Sequence, residues 1–111
     1  MSKFDEKLAL YQSEMNKLGL QFDADLLTKV TKGLGPSIYK ADAETVSGSD
    51  KSELATVKNN FLIKKLGLAD GPKLDSAIDA VIEKVGKSNP KKYRAIVYYL
   101  LVKELGQESK Y

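Results

Sequence analysis

Residues 49–67 read SDKSELATVKNNFLIKKLG and residues 88–106 read SNPKKYRAIVYYLLVKELG. Laid over one another without a gap, Ser49, Leu62, Lys64, Leu66 and Gly67 recur as Ser88, Leu101, Lys103, Leu105 and Gly106. Other positions keep their type: Asp50 with Asn89, Leu54 with Tyr93, Val57 with Ile96, Phe61 with Leu100, Ile63 with Val102. Each copy opens on a helix-capping residue, carries an apolar stripe and closes on glycine, which accepts the left-handed turn at a helix end. The segment before each copy matches too, with Leu27, Val30, Leu34 and Gly35 aligning with Ile78, Val81, Val85 and Gly86. This arrangement predicts a helical hairpin present twice, at about 22–67 and about 70–106, each burying the apolar face the other cannot cover alone. The competing explanation is that two capped amphipathic helices resemble one another for physical reasons only.

Apolar spacing along the rest of the chain points the same way. Phe4, Leu8, Tyr11, Met15 and Leu18 step by fours and threes, so the first helix is expected over Ser2–Leu18, stopped by Gly19. Asp23 is placed to cap a second helix over Ala24–Leu34, which Gly33, Gly35 and Pro36 end. Asp50 with Glu53 three residues on starts a third helix as a capping box, and Gly67 ends it. Pro72 stands at the first position of a fourth helix that runs to Gly86, and Ser88-Asn89-Pro90 opens a fifth that runs to Leu105. Residues 95–102 also suit a strand, but a cap precedes them, glycine follows and no partner strand exists elsewhere. The expected fold class is therefore all-α: a five-helix bundle in one domain over 1–111, made of two related hairpins (second helix with third, fourth with fifth) plus an N-terminal helix. Residues 36–49 are the least regular stretch, with Ile38, Tyr39 and Val46 expected to cover the core. Irregular segments of this length inside compact domains often carry function.

Composition removes whole classes of chemistry. The 111 residues include no Cys, His or Trp. That excludes disulfides, thiolate nucleophiles, thiolate or imidazole metal sites and imidazole-based triads. Carboxylates, Lys, Tyr, Ser and Thr remain, in no spacing that announces a catalytic site, so a non-enzymatic protein without cofactor or metal is expected. The net charge is +3. Seventeen of the 18 basic residues are Lys, with Arg94 alone supplying the planar fork suited to phosphate and guanine recognition. The N-terminus places charges on both sides of Phe4, unlike a signal peptide, and the longest apolar run, Ala95–Val102, is short of a membrane span. A cytoplasmic location is the expectation.

Three candidate sites follow. The stripe of the first helix (Phe4, Leu8, Tyr11, Met15) and the tyrosine pair of the fifth (Tyr98, Tyr99) favour association with a protein partner or a second copy of the chain. Tyr98-Tyr99 stands where the other copy has Asn59-Asn60, which suggests a covered flank on one helix and an exposed flank on the other. Lys87, Lys91, Lys92 and Arg94 gather at the turn into the fifth helix, whose free amides favour anions, so weak binding of nucleic acid or another polyanion is the alternative. A second alternative is a divalent-cation site in the acidic 42–53 loop. Asp42 to Glu53 matches a calcium-loop length, but Val46 holds a ligand position and the turn glycine is displaced to Gly48.

The stretch GLGPSIYKADAETVSGSDKSELATVKNNFLIKKLGL, with the SNPKKYRAIVYYLLVKELG close, resembles a bacterial family of short proteins known as domain of unknown function 2853. The resemblance runs from about Phe4 to Leu105. It implies an all-helical cytoplasmic bacterial protein and brings with it no activity, cofactor or site residue.

Overall fold

A computed structural model of the chain describes residues 2–48, 50–89 and 92–111, and the side chains of Ala41 and Asp42 are not among the described features. Five main helices follow in order: α1 (Lys3–Lys17), α2 (Ala24–Gly33), α3 (Lys51–Thr56, continued by Val57–Lys65), α4 (Pro72–Val85) and α5 (Arg94–Glu104). A 3-10 turn (Gly35–Tyr39) and a one-turn helix (Ala41–Glu44) occupy the irregular stretch between α2 and α3. Among the described residues there is no strand, and one isolated bridge pairs Thr45 with Tyr93. No helix among them is long and apolar enough to cross a membrane.

The predicted caps form where their chemistry requires. Asp23 accepts from the amides of Asp25 and Leu26, and Asp50 from those of Ser52 and Glu53. Gly19, Gly67, Gly86 and Gly106 all take positive φ after their helices, a region that disfavours any side chain. One expected start is corrected. The fifth helix begins at Arg94 rather than at the Ser88-Asn89-Pro90 device, because the Asn89 amide donates instead to the Val85 carbonyl and so closes the end of α4. Pro90 lies outside the described residues, as do Met1, Ser49 and Lys91.

α5 is the shaft of the molecule. Residues 95–102 are all buried, so this helix receives partners on every side, and a helix apolar all round belongs at the centre of a bundle. α4, α2, α1 and the one-turn helix pack against it, while α3 leans on α4. The symmetric pairing predicted from the repeat is thereby revised. α4 and α5 do pack together, but the main partner of α2 is α5 rather than α3. A helix with no polar face can draw α2 onto its open side.

α3 departs from α-geometry after Thr56. From Val57 to Lys65 its turns are π-helical, and Leu66 N donates to Phe61 O five residues back. Its apolar spacing accounts for this. Val57, Phe61, Leu62 and Leu66 are all buried. At about 100° per residue, Leu66 would stand nearly opposite Val57 in an α-helix. The wider i→i−5 turn, at about four and a half residues, returns both to one face.

Candidate functional site

The 35–48 segment is tied down by polar contacts rather than by regular structure. Ile38 and Val46 are buried in the core, as expected, while Tyr39 is 46% exposed and does not cover it. Two junctions hold the segment. At the first, the Glu44 carboxylate accepts from Lys7 Nζ at 2.8 Å and from the Tyr11 hydroxyl at 2.7 Å. The Tyr11 ring packs on that of Tyr93 with centroids 5.1 Å apart. Burial, and then the bond to Glu44, pushes the Tyr11 hydroxyl far above the ordinary tyrosine range, so it acts as a permanent donor. Burial raises Tyr93 as well, helped by the nearby charges of Glu44 and Glu14.

At the second junction, Arg94 spreads its fork over three elements. Nε donates to Ala43 O at 2.7 Å, Nη1 to the Tyr98 hydroxyl at 3.0 Å and Nη2 to Glu53 Oε1 at 2.6 Å. Burial works against the guanidinium charge, but the bonds to Tyr98 and Glu53 outweigh it and the group is held more firmly protonated than usual. Glu53 therefore completes no capping box, because its carboxylate goes to Arg94. Beyond Tyr98, the Phe61 ring stacks on the tyrosine at 3.9 Å and 14°.

Lys92 fastens the far end of the segment. The residue is 5% exposed, its Nζ donates to the Lys87 carbonyl at 2.7 Å and to the Asn89 carbonyl, and its own carbonyl accepts from Val46 N. Gly48 lies against the stem: a Cβ there would come 2.8 Å from Lys92 Cε and 3.0 Å from Ile82. A side chain at that position would have to displace the Lys92 stem.

These contacts decide how the sequence-derived candidates are placed. Of the cationic set, Lys87 is exposed and makes a long ion pair of 3.9 Å with Glu83. Lys92 and Arg94 point inward to partners in the same chain, and Lys91 lies outside the described residues. The described members, Lys87, Lys92 and Arg94, are thus not gathered into one outward-facing surface. Of the association set, Tyr11, Met15, Tyr98 and Tyr99 are buried within a single chain. Tyr99 accepts from the Asp23 amide at 2.7 Å and Tyr98 lies under Phe61, so α2 and α3 cover the flank expected to meet α1 or a second subunit. Phe4 and Leu8 are half-buried against the core. In the acidic loop, Glu44, Asp50 and Glu53 each have the internal partner given above, and among the described residues no three carboxylates come together as a metal would need.

Two residues outside the candidate sites stand out. Among the described residues, Leu10 and Tyr39 are the large apolar side chains left exposed, at 38% and 46%. Leu10 precedes Tyr11 on α1, and Tyr39 ends the 3-10 turn before the one-turn helix that carries Glu44. Leu10 is legible in the sequence as the apolar residue off the first stripe.

No curated protein matches the chain. A model of the family described as protein of unknown function (DUF2853) matches residues 10–109, from the middle of α1 into the last turn, and the chain belongs to that family.

Proposed function

We propose that this protein is a non-catalytic cytoplasmic interaction module that forms a homodimer through the surface around Leu10 and Tyr39. The observation that carries the reading is the exposure of those two side chains beside a segment held by Glu44, Arg94 and Lys92. A rigid, partly apolar patch loses little conformational entropy on association. A twofold contact also needs a self-complementary patch, and Lys7 with Glu44 offers both signs of charge next to the apolar pair. The non-catalytic reading draws support from the same contacts, since the polar groups that converge are engaged with one another. Polyanion binding through Lys92 and Arg94, or a cation on Glu44 and Glu53, would require those side chains to leave internal partners.

Light scattering on a sizing column across a concentration range tests the dimer. The expected result is twice the single-chain mass at high concentration, returning to the single-chain mass in the Leu10→Glu, Tyr39→Ser double variant. A parent that stays at single-chain mass throughout, or a double variant that still dimerises, overturns the proposal.

A further inference from the structure

A second feature shares neither Leu10 nor Tyr39. Between the C-terminal ends of α2 and α3 is a cleft of about 140 Å³, lined among others by Gly33, Asn60, Phe61, Lys65, Tyr98 and Tyr111. Its size is close to that of an apolar protein cavity of about 150 Å³ that takes up benzene, so it has room for one six-membered ring. The stacked pair Phe61 and Tyr98 forms one wall, and Tyr111 forms another beside Gly33. Rings of this kind favour a further aromatic ring in offset or edge contact.

The polar groups are of one character. No Asp or Glu side chain lines the cleft. Lys65 is exposed at its edge and makes no ion pair among the described residues, whose salt bridges involve other lysines. The Tyr98 hydroxyl accepts from Arg94, which leaves its O–H to donate. The π-helical course of α3 supplies the remaining group. Its wide turns keep Phe61 and Leu62 in the core while Asn60 stays exposed and lines the cleft. π-Turns are costly, short and frequent at binding sites.

We propose that this cleft binds a small single-ring aromatic carboxylate. The ring sits against Phe61, Tyr98 and Tyr111, and the carboxylate meets the Lys65 ammonium and the Asn60 amide. Nothing in this proposal depends on the oligomeric state.

The test is a titration of the full chain with benzoate, followed through NMR shifts of the Tyr98 and Tyr111 rings and the Asn60 side-chain amide. Benzyl alcohol, which lacks the charge, and cyclohexanecarboxylate, which lacks the aromatic ring, serve as comparators. Benzoate is expected to saturate, with affinity about tenfold above either comparator, and Lys65→Gln to erase its advantage over benzyl alcohol. Gly33→Leu supplies a second variant. The position is helical and exposed, and its Cβ would point at the Tyr111 ring from 3.8 Å, so the new side chain fills the cleft and abolishes binding. Absence of saturable shifts up to about 10 mM benzoate overturns the proposal, as does a Lys65→Gln chain that binds benzoate as the parent does. Equal binding of cyclohexanecarboxylate overturns it as well. Should Gly33→Leu fail to fold, the Lys65 variant decides alone.

Discussion

α3 and α5 carry the two copies of one sequence template and have opposite fates. α5 is buried on every side over residues 95–102 and serves as the axis on which α1, α2 and α4 lean. α3 is a flank, buried at Val57, Phe61, Leu62 and Leu66 and open at Lys58, Asn59 and Asn60, if less so at Lys58, whose ammonium pairs with Asp70 and Asp75. The difference shows what surroundings demand of a helix. A helix packed all round needs no apolar stripe, because every direction is core. A helix with one buried face must bring its apolar residues back to that face, and α3 does so by widening its turns.

That contrast is exposed to test, most severely by deleting single residues. Removing Val97 turns the rest of α5 by about 100° and mismatches every contact around it, so the cooperative thermal transition seen by circular dichroism should vanish. Removing Asn60 resets Val57, Phe61, Leu62 and Leu66 to an i, i+3, i+4, i+8 spacing, which an ordinary α-helix buries on one face. This variant should melt cooperatively, close to the parent. Equal loss of structure in both deletions would break the comparison.

Truncation at aligned positions gives a smaller effect. Val102 is fully buried and its counterpart Ile63 is only partly so. Val102→Ala should cost about 2 kcal/mol in urea unfolding and Ile63→Ala less than about 1 kcal/mol, although isoleucine is the larger side chain.

The smallest effect concerns the junction that holds α1 to the segment between α2 and α3. Tyr11→Phe removes one hydrogen bond to Glu44 and should cost about 1 kcal/mol at neutral pH. Burial first, then Glu44, raises the Tyr11 ionisation, so the folded chain keeps a proton that the unfolded chain releases near pH 10. The contribution of Tyr11 is complete below pH 10 and falls away as pH rises beyond it. Urea midpoints should therefore decline less steeply above pH 10 in Tyr11→Phe than in the parent.

Much of this was legible in the residues. Caps at Asp23 and Asp50, stops at Gly19, Gly67, Gly86 and Gly106, and Pro72 at a first turn mark the helices directly, because each meets a local backbone need. Partner choice was less legible. An apolar surface all round α5 says that it is covered and not by what, so Tyr98 and Tyr99 read equally well as a subunit interface. The π-turns of α3 were written in the interval from Val57 through Phe61 and Leu62 to Leu66, for a reader who measured it against 3.6. Lys92 had no local signal. Its burial depends on Gly48 and on two carbonyls of the 87–89 turn, groups whose positions only the tertiary fold decides.

Lys92 also has a use at the bench. Seventeen lysines offer an amine-reactive reagent seventeen targets, and this one keeps its nitrogen against backbone oxygens under the chain that includes Gly48. Acylation there requires the 45–48 segment to lift from the turn before α5. In a timed labelling read by peptide mass, Lys92 should modify late, and its lag behind Lys87 would clock how often that seam opens.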